Sequence, residues 1–141
     1  MSYYLDACVV VALIQDEAGT AAAIQFVSQA DDPLIVSDYA LGEAASAVSR
    51  QFRMGKIELA EAKHRLTLLD EWVAGSAQPI ATEASDIRMG AQLVRRIVMG
   101  VRLPDAIHLA AAQIRGYRLV TIDRHMASAA EQMGLETVLL G

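Results

Sequence analysis

The stretch LPDAIHLAAAQIRGYRLVTID, residues 103–123, decides the fold class. Pro104 stands at a first-turn position, where its missing N–H loses no hydrogen bond. Gly116 supplies a stop, so residues 104–115 read as one helix. That helix is apolar nearly all round, which places it centrally rather than at the periphery. Leu119-Val120-Thr121-Ile122 then reads as a short buried strand. Asp123 follows it at the head of a helix over 124–133, with Gly134 as its cap. Helix, strand and helix in this order repeat in parallel sheets.

Outward from this stretch the same alternation recurs. Tyr3-Tyr4-Leu5 reads as a strand, and Cys8 to Ile14 either continues it or opens a helix, because a β-branched run suits both. Residues 20–30 read as a helix and Leu34 to Ser37 as a strand. The spacing predicts helices over 38–54, stopped by Gly55, and over 58–74, ended by Gly75. A strand over 78–81, a helix over 82–99 closed by Gly100, and a last strand over 137–140 complete the pattern. Short apolar strands alternating with helices imply an α/β fold: a central parallel sheet of about five short strands with helices on both faces. No repeat, linker or low-complexity run interrupts it, so residues 1–141 are expected to form a single domain.

Composition narrows the class further. The chain is 54% hydrophobic but only 5% aromatic, so aliphatic side chains and alanine must fill the core. A lone cysteine, Cys8, excludes an internal disulfide and fits a reducing compartment. No secretory signal is visible, and the longest apolar run, Ala7 to Ile14, is too short to cross a bilayer. A soluble, cytoplasmic protein without membrane association is expected. The net charge is −5, unevenly spread: no Lys or Arg precedes Arg50, while all twelve lie between Arg50 and Arg124. An acidic region that needs a cation or basic partner, beside a surface able to meet anions, would give this asymmetry; so would ordinary solvated helices. The mean hydropathy of +0.30 is high for so small a soluble chain and suggests apolar surface reserved for a subunit or partner.

In parallel α/β folds, sites form at the carboxyl ends of the strands. Asp6 and Asp123 each follow an apolar strand, and Asp105 opens the central helix. A lone carboxylate in the run around Asp6 is costly unless a charge or strong hydrogen bonds compensate it. Each acid also has a structural reading. Asp6 and Asp123 suit helix N-caps, Asp105 suits the positive end of a helix dipole, and Glu43 suits solvent. Glu43 falls opposite a Leu41/Ala45/Val48/Phe52 stripe, on a face with Tyr39, Ala40 and Ala47. Grouped carboxylates are what Mg²⁺ and Mn²⁺ prefer. Such ions can orient a water, lower its pKa and stabilise charge on a phosphodiester.

The order of these residues resembles PIN-domain ribonucleases, most closely the VapC-type toxins of bacterial toxin–antitoxin pairs. That family has an Asp after the first strand, a Glu on an early helix, an Asp in a Pro-Asp-Ala-hydrophobic-His-Leu-Ala segment, and an Asp after a later strand. Asp6, Glu43, Asp105 and Asp123 match in order and approximate spacing. Residues 102–112 and 117–124 carry the most specific likeness, which extends over essentially the whole chain. The resemblance implies a PIN-like three-layer fold and an endoribonuclease that cuts RNA with Mg²⁺ or Mn²⁺. It implies Asp6 and Asp105 as primary metal ligands and Glu43 and Asp123 as closing the catalytic cluster. It also implies a cognate antitoxin whose basic side chain approaches the acids. One departure stands out: Thr or Ser, then Ser or Asn, often follow the first Asp in the family, and here Ala7 and Cys8 stand there.

Other residues read as structural. His108, three residues from Asp105, shares its helix face but is more simply a satisfied core histidine. His64 and His125 lie on charged stretches, Cys8 and the histidines lack zinc spacing, and no phosphate-binding glycine signature is present. Met54, Met89, Met99, Met126 and Met133 read as core or interface filler. Arg95, Arg96, Arg102 and Arg124 are the candidates for holding RNA. A homodimer is expected, with Leu66, Leu69 and Trp72 extending into its interface. Two other functions stay open: an aspartyl-nucleophile phosphatase and a catalytically silent PIN-like interaction domain. Cys8 occupies the position where the phosphatase would hold its second Asp.

Overall fold

The computed structural model describes residues 1–141. Five strands, β1 (Tyr3–Leu5), β2 (Leu34–Ser37), β3 (Gln78–Ile80), β4 (Arg118–Thr121) and β5 (Thr137–Leu139), form one sheet in the order β3-β2-β1-β4-β5. Every neighbouring pair is parallel, with Tyr4 opposite Ile35 on one side and Leu119 on the other. The helices are α1 (Ala7–Ile14), α2 (Thr20–Gln29), α3 (Asp38–Arg53), α4 (Leu59–Ser76), α5 (Ala84–Val94), α6 (Leu103–Arg115) and α7 (Arg124–Gln132), with a 3-10 turn over Ile97–Met99. The α/β parallel architecture read from the sequence is therefore present.

Strand alternation divides the core into two. Tyr4, Ile35 and Leu119 face α5, α6 and α7, packing with Leu93, Leu109 and Met126. Leu5, Leu34, Val36 and Val120 face α1 to α4, packing with Val9, Val48 and Leu69. From β1 the chain steps outward to β2 and β3 beneath α1 to α4, then returns beside β1 as β4 and continues to β5. Winding thus reverses between β1 and β4, and such a switch point opens a crevice at the carboxyl strand ends.

Several boundaries differ from the sequence reading, each for a local reason. Residues 7–14 are helical because Asp6 caps them, its Oδ1 accepting Val9 N–H at 3.2 Å. Gly75 does not end α4, which runs on to Ser76; its backbone has no positive φ, so nothing there turns the chain. The expected helix over 82–99 is two pieces, α5 and the 3-10 turn, closed by Gly100 at φ +65°. The α3 stripe is shifted: Ala40, Ala44 and Val48 are buried, whereas Phe52 is 42% exposed. Leu69 is buried in this domain's own core, with Leu66 and Trp72 packed against it, so α4 spends these residues inward on α1 and α3. No helix is long and apolar enough to cross a membrane.

The α5–α6 pair fixes the position of the central helix. Gly90 lets the two approach, since a Cβ there would lie 3.1 Å from the Ile107 backbone nitrogen. Arg115 at the end of α6 binds the fully buried Asp86 through two bonds, at 2.7 and 2.9 Å. Asp86 also accepts Glu83 N–H at 2.8 Å and so caps α5.

Candidate active site

The crevice between β1 and β4 receives Asp6 from the end of β1. Its side chain is buried, with Oδ1 accepting from the Cys8 thiol at 2.8 Å and Oδ2 from the Thr121 hydroxyl at 2.5 Å. Thr121 reaches it because β1 and β4 run parallel with Leu5 opposite Val120. Burial pushes the Asp6 carboxyl above its ordinary value, while the bonds from Cys8, Thr121 and Val9 pull it down. Burial, and then the neighbouring Asp6 charge, push the Cys8 thiol up to about 12. The thiol therefore stays protonated at neutral pH and serves as a donor to Asp6. The departure at Cys8 thus replaces one donor by another, and Thr121 supplies the hydroxyl.

Asp123 follows β4 and is exposed; it caps α7, its Oδ1 accepting His125 N–H at 2.8 Å and Met126 N–H at 3.2 Å. Its own N–H donates to Thr121 Oγ1 at 3.0 Å. One hydroxyl consequently links the two strand-end acids, as donor to Asp6 and acceptor from Asp123. The cap readings of Asp6 and Asp123 both hold, and both caps sit at the switch point.

Asp105, in the first turn of α6, is half-buried and takes part in no side-chain hydrogen bond or ion pair. Burial raises its pKa, and the charges of Asp123 and Glu43 raise it further, against Arg102 and His108. These acids lie within each other's fields. Glu43, on α3, turns toward His108, its Oε1 2.5 Å from Nε2. His108 is 2% exposed, and its Nδ1 lies 2.7 Å from the Tyr4 hydroxyl, itself 3.1 Å from Ser37 Oγ. Ser37 in turn caps α3 by accepting Ala40 N–H at 3.0 Å.

Proton counting fixes one end of this chain. Tyr4 has a single hydroxyl proton. If it goes to His108 Nδ1, the neutral imidazole carries its proton on Nε2. If it goes to Ser37, Nδ1 must carry a proton of its own to donate to the Tyr4 oxygen. In both arrangements a single proton lies between His108 Nε2 and Glu43 Oε1. The satisfied-core reading of His108 is correct, yet it missed that the bond goes to a candidate site acid.

As the side chains lie, no three Asp, Glu, His or Cys residues are arranged as ligands of one ion. Thr121 joins the Asp6 carboxylate to the Asp123 backbone N–H, while the Asp123 carboxylate caps α7, and Asp105 faces Asp123 and Glu43 through charge alone. Arg95, Arg96, Arg102 and Arg124 are all exposed. Sequence reasoning overlooked Tyr4, Ser37 and Thr121; Thr121 was visible as the one hydroxyl in an apolar strand that ends in an acid.

Fold and site together define a doubly wound parallel α/β domain with acids at its switch point. The chain belongs to the PIN domain family, whose model matches residues 3–132. No curated protein sequence matches it. Among solved structures it resembles VapBC2 from Rickettsia felis, bound to a promoter DNA fragment, with TM-score 0.73 and 14% identity over 100% of both chains. It also resembles VapC20 from Mycobacterium tuberculosis, a sarcin–ricin-loop-cleaving toxin, with TM-score 0.68 and 14% identity over 90% of this chain and 94% of that one. A toxin–antitoxin complex from Klebsiella pneumoniae matches at TM-score 0.56 and 17% identity, over 86% of each chain. Identities this low establish a shared fold.

Proposed function

We propose that this protein is a divalent-metal-dependent endoribonuclease and the toxin of a toxin–antitoxin pair. Residues 1–141 act as one nuclease domain in the cytoplasm, with Asp6, Glu43, Asp105 and Asp123 as the catalytic, metal-holding acids. One observation carries the reading: Asp105 stands half-buried at the switch point without a hydrogen-bond donor, facing the charges of Asp123 and Glu43. Uncompensated carboxylates of this kind suit a hard cation, and the donor set is all oxygen, as Mg²⁺ or Mn²⁺ requires.

Asp105 and Asp6 would hold the ion directly, with Glu43 and Asp123 closing the cluster directly or through water. When bound, the metal lowers the pKa of a water and neutralises charge on the phosphodiester. The chain's own contributions are positional. Thr121 and Cys8 orient the Asp6 carboxylate, and His108 orients Glu43. Arg95, Arg96, Arg102 and Arg124 supply cations for RNA phosphates. Family membership supports nuclease chemistry over the aspartyl-nucleophile phosphatase. The toxin–antitoxin neighbours support an antitoxin partner, and exposed Ile97, Val98 and Leu103 offer apolar surface for it or for a homodimer.

The test is cleavage of total cellular RNA with Mg²⁺ or Mn²⁺ against EDTA. Wild type should cut only with metal. Asp105→Asn should lose nearly all cleavage and most ion affinity, read as loss of the Tm rise that Mn²⁺ produces. Wild-type cleavage by Asp105→Asn refutes the mechanism, and an inert wild type favours the silent interaction domain.

A further inference from the structure

One face of α3 carries the chain away from the acids to a second chemistry. Ser46, Ala47, Arg50, Arg53 and Met54 lie three, four, seven, ten and eleven residues after Glu43, so they share one face with it. They line a cleft of about 430 Å³ together with Gln15 and Lys56. At 1.5 Å of rise per residue, Arg50 lies roughly 10 Å along the axis from Glu43 and Arg53 roughly 15 Å.

The charges in this cleft are available. None of Arg50, Arg53 and Lys56 is in an ion pair; the arginines that are paired are Arg65, Arg115 and Arg118. Arg53 only donates to Ser49, at 2.6 Å. Gln15 is 8% exposed, and its Oε1 accepts from Arg65 at 2.9 Å, which leaves its NH₂ as a donor. Glu17 and Glu43 are the acids on the lining, and Glu43 is already bonded to His108. The lining is therefore rich in donors and cations.

Glu43 and Ser46 also line a neighbouring groove of about 640 Å³ that holds Tyr39. The Tyr39 ring is partly exposed, 5.4 Å from the His108 ring, and offers an aromatic face. The two hollows flank Glu43, one lined by Arg50, Arg53 and Lys56 and the other by Tyr39 together with Asp38, whose carboxylate is taken up by Thr82. That pairing is what single-stranded nucleic acid uses, phosphates on cations and bases on rings. It matters here because a chain of net charge −5, with acids at its site, repels a polyanion unless cations lie beside them.

We propose that the Arg50–Arg53–Lys56 cleft binds the phosphates of single-stranded RNA next to the bond that is cut, the strand crossing α3 at Glu43. The proposal rests on the nuclease reading for its orientation, and its test separates the two. Binding of a fluorescein-labelled oligouridylate is followed by anisotropy in EDTA between 50 and 200 mM KCl, for the intact chain and for Arg50→Ala/Lys56→Ala. Cleavage of total RNA with Mn²⁺ is measured in parallel. Each phosphate contact on a single strand contributes about 0.7 to the slope of log affinity against log salt. The double variant should lose about 1.4 from that slope and bind about tenfold or more weakly at low salt. Lys63→Ala, on the exposed face of α4, should match wild type, and all variants should keep the wild-type Tm. Equal slopes and affinities for wild type and the double variant overturn the proposal, as does failure of wild type to bind the oligonucleotide. Binding of poly-L-glutamate in place of RNA also overturns it and assigns the cleft to an acidic protein segment. Wild type that binds through these cations but cleaves nothing overturns the nuclease reading and leaves the RNA cleft standing.

Discussion

Removing the Tyr4 hydroxyl, in Tyr4→Phe, isolates the chain that aims Glu43. Tyr4 is fully buried, and phenylalanine keeps its ring and volume, so packing against Leu93, Leu109 and Leu119 is retained. What is lost is the atom 2.7 Å from His108 Nδ1 and 3.1 Å from Ser37 Oγ. Ser37 keeps its bond from Ala40 N–H, so its loss is small. His108 keeps Glu43 on Nε2 but is left with a buried, unpartnered Nδ1. An unsatisfied buried polar atom costs about 1–3 kcal/mol, and we expect Tyr4→Phe to be destabilised by that amount. For a domain of this size that is a fall in Tm of roughly 2–10 °C, measured by calorimetry in EDTA and by urea unfolding. A double-mutant cycle with His108→Gln, a side chain of comparable length, should give a coupling energy of about 0.5–3 kcal/mol. The imidazole ¹⁵N shifts should change at His108 and stay fixed at His64. A Tyr4→Phe protein within about 0.5 kcal/mol of wild type, or additive with His108→Gln, refutes the proton chain.

Two further outcomes follow from the same geometry. Without metal, stability should be greatest on the acid side of neutrality. Burial raises the Asp6 and Asp105 carboxyls, so the folded state takes up protons ahead of the unfolded chain and gains stability as pH falls through their raised values. Burial also pushes Asp86 up, but the bonds from Arg115 and Glu83 outweigh it and hold Asp86 below 3.8. Its contribution is present above 3.8 and is lost as pH falls through its lowered value. Urea unfolding across pH 3–8 should therefore show a maximum, whose acid limb flattens in Asp86→Asn; an unchanged limb counts against the pair. At neutral pH, Asp86→Asn should lose about 1.5–3 kcal/mol, since it takes the charge out of two bonds to Arg115, which stays partly exposed and keeps its bond to the Ala111 carbonyl. Gly90→Ala tests the α5–α6 approach. A methyl 3.1 Å from the Ile107 nitrogen and 3.3 Å from the Ala106 carbonyl carbon must push two backbones apart, and a loss of about 1–3 kcal/mol is expected. A stabilised Gly90→Ala shows that helix propensity outweighs the crowding.

Much was legible in the chain because local chemistry repeats it. Pro104 and Gly116 bracket α6, Gly100 and Gly134 take the left-handed conformation that closes their segments, and short apolar runs mark every strand except β3, whose Gln78-Pro79-Ile80 forms one edge of the sheet. Asp6 and Asp123 were readable as strand-end acids, and a parallel sheet brings strand ends to one edge wherever the strands fall in the order. What sequence left open is how each acid is held. Asp6 needs Thr121, 115 residues away, and Glu43 needs His108, 65 away, and through it Tyr4 and Ser37. Helical and strand periodicity constrain neighbours a few positions apart and carry no information on such partners. The direction in which α4 spends Leu66, Leu69 and Trp72 was likewise undetermined, because an apolar stripe reads the same against one's own core or another chain. Local propensity and the period of apolar residues determined the elements and their sidedness. Only the packing of β1 beside β4, with α3 and α6 laid on opposite faces, decided which polar atoms meet.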